Sequence, residues 1–126
     1  MKQKIYVKNW KLVYLDTMNT MVHYTSKMKD FIVMNHQKIK IELKLADEIS
    51  IFIFGSLLQK KQSNDIDLLV LYDKEKISTQ AILLYRINLA KAMEKEYEIF
   101  CDICLLSFDE EKQVSFAKHE KAIKLI

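Results

Sequence analysis

The stretch IFIFGSLLQKKQSNDIDLLVLYD, from Ile51 to Asp73, decides how this chain folds. It contains two apolar runs, each short enough to be a buried strand, joined by a polar segment. Gly55 is the single glycine among 126 residues, and the chain has no proline. Because glycine has no Cβ, the backbone can approach another group closely at that point. We therefore expect a phosphate chain to come close to the backbone at Gly55.

Gly55 and Ser56 lie where the first apolar run, ISIFIF, passes into SLLQKK, which predicts one or two helical turns. The first turn of a helix offers unpaired N–H groups and a partial positive charge, so it binds phosphate. Ser56 adds a hydroxyl donor. An ordinary tight turn also explains a Gly-Ser pair at this position, and the pair alone does not decide between the two interpretations.

The second apolar run, DIDLLVLY, begins with two carboxylates, Asp65 and Asp67. Residues two apart in a strand share a face, so both side chains point the same way. Two like charges at the edge of a buried strand repel each other, and a divalent cation removes that repulsion. Carboxylate oxygens suit Mg²⁺. The alternative is structural, with Asp65 a turn residue after Asn64 and Asp67 a residue at the strand end.

A third acid, Asp102, interrupts the apolar run IFCDICLL, which predicts a third buried strand. A carboxylate inside such a strand is costly unless it is paired or metal-bound. If the second and third strands lie side by side, Asp102 joins the face of Asp65 and Asp67. Three carboxylates facing a phosphate-binding turn form the arrangement that two-metal nucleotidyl transfer needs.

The same run holds Cys101 and Cys104, which have the CxxC spacing of a metal clip or a redox pair. Residues three apart in a strand point to opposite faces, so the two thiols do not converge. We therefore predict two small buried hydrophobic residues.

The remaining patterns predict helices between and after the strands. Apolar residues mixed with lysines indicate a helix over about 35–48, and a long helix capped by Ser78 or Thr79 runs to about Glu96. Its buried face is predicted to hold Ile82, Tyr85, Leu89 and Met93. Ser107 is a possible cap for a terminal helix. These elements predict an α/β or α+β domain over residues 34–126, with helices on a small sheet, and an N-terminal extension over residues 1–33 of uncertain structure.

Composition limits the classes of partner. Charged residues make up 29% of the chain, yet the formal net charge is only +3 and the lysines are dispersed. That is too mild to indicate a nucleic-acid binder, although it suits an anionic ligand such as a nucleotide. Charges interrupt the N-terminal apolar residues before a signal peptide can form, and no apolar run approaches the length of a membrane span. We expect a soluble, cytoplasmic protein.

Taken together, Gly55-Ser56, a polar spacer, Asp65-Ile66-Asp67 and Asp102 resemble the polymerase-β-type nucleotidyltransferase superfamily. The resemblance covers about residues 34–126 and is greatest to the small stand-alone members, the minimal nucleotidyltransferases. It implies a polymerase-β-like fold with a small mixed sheet. It also implies that Gly55 and Ser56 hold the nucleotide phosphates, that Asp65 and Asp67 bind Mg²⁺, and that Asp102 completes the metal site and helps deprotonate the acceptor.

Two features depart from the family pattern. Eight residues separate Ser56 from Asp65, whereas many minimal members have a longer spacer, and the chain reads Leu57-Leu58-Gln59-Lys60 where an arginine and a glycine often follow the Gly-Ser pair. Lys60 or Lys61 is either a substitute phosphate contact or part of a solvated turn. The predicted metal ligands are unaffected, while nucleotide choice and catalytic rate depend on the altered segment.

The resemblance implies transfer of a nucleoside monophosphate, AMP from ATP, to a hydroxyl with release of pyrophosphate. It further implies a protein partner, as in antitoxins that bind a HEPN toxin and add AMP to it. Small-molecule adenylyl transfer is a second reading, and self-association as a homo-oligomer also stays open. The alternative from a different class is a binding module that keeps the fold, has little or no activity, and neutralises its partner by contact. The shortened spacer favours that alternative.

Overall fold

A computed structural model describes residues 24–58 and 65–126 of the chain. Most of the predicted N-terminal extension, and the spacer with Lys60 and Lys61, lie outside the described residues. The described residues form four α-helices, namely α1 (Ser26–Leu43), α2 (Thr79–Tyr97), α3 (Phe108–Val114) and α4 (Phe116–His119). The strands are β1 (Ile49–Phe54), β2 (Asp65–Tyr72), β3 (Phe100–Ser107) and β4 (Ile123–Lys124). None of the helices in these two ranges has the length and apolar character needed to cross a membrane.

The strands form one mixed sheet in the order β3-β2-β1-β4. β1 pairs antiparallel with both β2 and β4, whereas β2 and β3 are parallel and are connected through α2. A parallel pair needs such a crossover because the chain must return to the starting end of the sheet. Helices packed on a small mixed sheet confirm the predicted fold class, and β1, β2 and β3 confirm the three predicted strands.

α1 and α2 cover one face of the sheet and form the core with it. α2 confirms its prediction, because Ser78 is its N-cap and its buried residues are the four predicted ones. The strands contribute every second residue, as expected when only one face is packed against helices. The core residues from the three long strands are Ile49, Ile51, Ile53, Ile66, Leu68, Val70, Cys101 and Ile103.

The first helix differs from the prediction of 35–48. α1 begins at Ser26, where the Thr25 hydroxyl accepts a hydrogen bond from the Met28 N–H, and it runs without a break through residues 33 and 34. It ends because Lys44 adopts a left-handed conformation with φ 55°. The sequence pattern placed the start of the helix too late because residues 1–33 were assigned to an N-terminal extension, whereas Met28 and Ile32 belong to the buried face of α1.

The C-terminal segment is not the single helix that the sequence predicted. Ser107 caps α3 as expected, in a capping box with Glu110. However, Ser115 has a φ of 50°, which ends α3 and starts the short α4. The chain then returns to the sheet as β4 beside β1, and the Leu125 N–H donates to the Ile51 carbonyl at 2.7 Å. This return places the residues after α4 beside the sheet.

A buried polar pair joins the two core helices. The Nδ1 atom of His36 lies 2.6 Å from the Tyr85 hydroxyl, and both side chains are almost fully buried. Burial lowers the pKa of His36 to about 4, with the nearby Lys40 adding to the effect. The folded state therefore holds His36 neutral.

We predict that this histidine makes the fold sensitive to mild acid. Because the folded pKa lies below the unfolded value of 6.5, the free energy of unfolding is at its full value above that pH. It falls as the pH drops toward 4, by up to about 1.4 kcal/mol per pH unit. Urea unfolding of the wild type and of His36→Gln between pH 7.5 and 4.5 measures this. The variant should lose less stability over the interval, and parallel losses in the two proteins would contradict the prediction.

Candidate active site

The register of the parallel strands brings the three predicted carboxylates together. Asp67 of β2 lies directly opposite Asp102 of β3, and Asp65 shares the face of Asp67 because it is two residues away. Ile66, which lies between Asp65 and Asp67, and Cys101, which directly precedes Asp102, point into the core on the other face. Adjacent strands are about 4.8 Å apart. The acids therefore form one cluster on the sheet face opposite α1 and α2.

Asp102 is exposed, contrary to the expectation of a buried strand. β3 is an edge strand, so its outer side has no neighbouring strand in the described part of the chain. The Asp102 carboxylate keeps contact with water, so the expected cost of burying a carboxylate in this run does not arise. Its place beside Asp67 follows from the strand register instead.

The charges of the cluster act most strongly on Asp67, which is half-buried. Burial raises the pKa of its carboxyl, and the charges of Asp65, Asp102 and Glu120 raise it further. Glu120 is a fourth acid that the sequence pattern did not reveal. It follows α4, and it reaches the cluster only because β4 returns to pair with β1. No local motif signals such a placement.

Gly55 is required by Asp67 itself. The residue has a φ of 88°, which side chains other than glycine rarely adopt, and a Cβ built on it would overlap the Oδ2 atom of Asp67 and lie 3.2 Å from its Cγ. The sequence interpretation expected an anionic phosphate at this point, and the anionic group found there is the Asp67 carboxylate. A phosphate contact at Gly55 stays a prediction.

Ser56 follows directly and starts a turn of 3₁₀-helix, Ser56–Leu58. The Leu58 N–H donates to the Gly55 carbonyl at 3.1 Å, which closes this turn. Phe54, the residue before Gly55, is paired with Asp67 across β1 and β2. The Gly55-Ser56 turn is thus held beside the carboxylates by the pairing of β1 with β2. The rest of the predicted helical segment, from Gln59 on, falls outside the described residues.

The donor set consists of carboxylate oxygens, which is the chemistry that Mg²⁺ prefers. Among residues 24–58 and 65–126, no three or more His, Cys, Asp or Glu side chains are already grouped closely enough to hold a metal ion. Like charges on neighbouring carboxylates repel one another, and a divalent cation would draw their oxygens together. The residues therefore fit Mg²⁺ by type and by strand position.

Two other features, a pair of cysteines in β3 and a cavity, are not part of this cluster. Cys101 is buried and Cys104 half-buried, both are free thiols on opposite faces, and burial raises the pKa of Cys101 to about 12. A cavity of about 190 Å³ lies at the far end of β2 and β3. Asp73 of its lining lies six positions along the chain from Asp67, roughly 20 Å away. Its lining residues are Asp73, Lys74, Glu75, Ser107, Phe108 and Asp109.

Comparison with known families identifies the fold. A family model described as "Polymerase beta, Nucleotidyltransferase" matches residues 37–125, which include the Gly55-Ser56 turn and all three carboxylates. The chain belongs to the polymerase-β-type nucleotidyltransferase superfamily. A search of curated proteins found no match. The resemblance inferred from the sequence is confirmed, and membership in the superfamily indicates a transferase in general.

We predict that Gly55→Ala destabilises this nucleotidyltransferase domain by about 1–3 kcal/mol, because the new Cβ meets Asp67 and the backbone conformation is strained. Urea unfolding measures the change. In an Asp67→Gly background the same substitution should cost less, since only the backbone strain remains. An equal cost in both backgrounds would show that the overlap with Asp67 is unimportant.

We also predict that Asp67→Asn stabilises the metal-free domain at neutral pH. Because the folded state raises the pKa of Asp67, the contribution of its carboxyl is greatest below the unfolded value of 3.8 and is lost as the pH rises through the folded value. At neutral pH the ionised carboxylate therefore destabilises the folded state. Asparagine has the same shape and no charge, so the substitution removes this destabilisation, which we place at about 1 kcal/mol. Thermal unfolding with EDTA at pH 7.5 measures it. Asp30→Asn, at an exposed position of α1, is the control and should change stability by less than about 0.5 kcal/mol.

Proposed function

We propose that this protein is a Mg²⁺-dependent nucleotidyltransferase that transfers AMP from ATP to a hydroxyl acceptor and releases pyrophosphate. The observation that carries the proposal is the parallel register that sets Asp67 beside Asp102, with Asp65 on the same face. The Gly55-Ser56 turn, held next to Asp67 by the pairing of β1 with β2, supports it. Superfamily membership supports the reaction class.

Each residue has a definite task in this proposal. Asp65, Asp67 and Asp102 hold Mg²⁺, which when bound neutralises phosphate charge and makes the acceptor hydroxyl more acidic. Asp102 accepts the proton of that hydroxyl; its exposure leaves it open to an incoming acceptor. The Ser56 hydroxyl and the backbone N–H groups of the turn donate to the phosphates. Catalysis is then mainly positioning and charge neutralisation.

We further propose that the acceptor is a protein in the cytoplasm, a HEPN-like toxin for which this chain is the antitoxin. The support is the resemblance to minimal nucleotidyltransferases, which often act with a helical partner. The described residues also form a single sheet with its helices, with no second unit to recognise a small acceptor. Modification of a small molecule would overturn this part of the proposal only.

A second candidate function is a binding module that neutralises its partner by contact. The observation that favours it is the short spacer, of eight residues, between Ser56 and Asp65. Both candidates keep the fold, and they differ in whether the carboxylates bind Mg²⁺ and nucleotide.

The deciding experiment is thermal unfolding with ATP in the presence and absence of Mg²⁺. An enzyme should be stabilised by ATP and Mg²⁺ together, by about 2.7 kcal/mol when ATP is a hundredfold above its dissociation constant. The double variant Asp65→Asn/Asp67→Asn should lose this effect, while Asp30→Asn should retain it. A stabilisation that survives the double substitution would refute the proposed metal ligands, and its absence from the wild type would favour the binding module.

Mass spectrometry of proteins that copurify with the chain tests the acceptor. The prediction is a partner carrying the added mass of one or more AMP groups, lost when the partner is coexpressed with Asp65→Asn/Asp67→Asn. A partner that is bound and neutralised by both forms of the protein, and never modified, would support contact alone.

A further inference from the structure

Phe100 is an aromatic residue exposed beside the carboxylates. It opens the edge strand β3, its side chain is 61% exposed, and it is paired in register with Asp65. Because it lies two residues before Asp102, it shares the face of Asp102, while Cys101 between them is buried in the core. Among the described residues no strand pairs with the outer edge of β3, and an exposed phenyl ring on such an edge is a liability for aggregation.

A second aromatic group lies on the other side of the cluster and is already engaged. Phe54 is paired with Asp67 from β1, and its ring meets that of Phe116 edge to face with centroids 5.1 Å apart. Both residues are half-buried. The carboxylates thus lie between a packed aromatic pair on the β1 side and an open ring on the β3 side.

The geometry of the proposed reaction suggests a role for the exposed ring of Phe100. In phosphoryl and nucleotidyl transfer the attacking and leaving oxygens lie roughly in line on opposite sides of the phosphorus. The proposed function places the pyrophosphate over the Gly55-Ser56 turn at the end of β1. The attacking hydroxyl must then arrive from the β3 side, where Asp102 and Phe100 are the exposed residues.

We propose that Phe100 is the acceptor platform of this site, and that it binds an apolar or aromatic surface next to the hydroxyl that is modified. The inference rests on the proposed function. In the step itself, the acceptor oxygen bonds to the α-phosphorus, the bond from that phosphorus to the bridging oxygen breaks, pyrophosphate leaves, and the hydroxyl proton passes to Asp102. Phe100 is a specificity residue in this step, because its ring orients the acceptor and takes no proton.

The ring of Phe100 is open to an incoming group, because the residue is 61% exposed and β3 has no further strand on its outer side among the described residues. A planar group can therefore reach the ring without displacing a strand. The shallow depression that Phe100 also borders is lined by Glu94, Glu98 and Ile99 at the end of α2, and none of the carboxylates lines it. Stacking on an exposed aromatic ring contributes enough affinity to select an acceptor.

The test uses benzyl alcohol as the probe and ethanol as its control, because both are primary alcohols and only one carries a ring. Their binding is followed by NMR titration with Mg²⁺ and α,β-methylene-ATP present. Phe100→Ala should weaken binding of benzyl alcohol about 5- to 100-fold, Phe100→Tyr should retain it, and ethanol should not distinguish the proteins. With benzyl alcohol, pyrophosphate release from ATP should be slower in Phe100→Ala than in the wild type and in Phe100→Tyr. With ethanol, the three proteins should release pyrophosphate at equal rates.

Separate outcomes distinguish this inference from the proposed function. Equal affinity of wild type and Phe100→Ala for benzyl alcohol would overturn it, provided that thermal unfolding shows the variant folded. Phe100→Leu gives a second variant that keeps an apolar side chain without a ring. Weaker binding of α,β-methylene-ATP by Phe100→Ala would place the nucleotide base on the ring, and would overturn the acceptor role. If the wild type binds no nucleotide with Mg²⁺, the proposed function fails together with the inference.

Discussion

The register between β2 and β3 is the constraint on which the rest of this structure depends. It sets Ile66 opposite Cys101 on the core face and Asp67 opposite Asp102 on the other face. Strand side chains alternate, so a slip by one residue would bury carboxylates and expose core residues. The hydrophobic core therefore fixes the geometry of the acidic cluster, and neither can change without the other.

The cluster is held at a cost to the fold. Asp67 is half-buried among other acids, and its carboxyl occupies the space that any side chain at position 55 would need. Gly55, the single glycine of the chain, lies at the position where a Cβ would collide with this carboxylate. Strain and like-charge crowding of this kind concentrate at functional sites, where the surrounding structure compensates for them. Here the compensation is the core under β1 and β2, where Ile53, Ile66 and Leu68 are fully buried.

Local patterns predicted what local physics determines. Apolar runs predicted β1 and β2 with their bounds and β3 to within a few residues, and the spacing of apolar residues predicted the buried face of α2. The spacing of Asp65 and Asp67 placed both on one face without knowledge of the sheet. The predictions that were wrong depend on distant contacts. No local pattern shows that His36 pairs with Tyr85, and Ser115 gives no sign of a left-handed conformation.

Strand order is the property that the sequence could not supply, and it changes the meaning of Asp102. An apolar run predicts burial on both faces, yet β3 lies at the edge of the sheet and its Asp102 faces water. This exposure matters more for function than burial would. A carboxylate enclosed in the sheet could meet only a small acceptor, whereas one on an open edge can meet a hydroxyl on a large surface. Under the proposed function, the edge position of β3 would let this domain act on another macromolecule, because the acceptor would need to reach only the rim of the sheet.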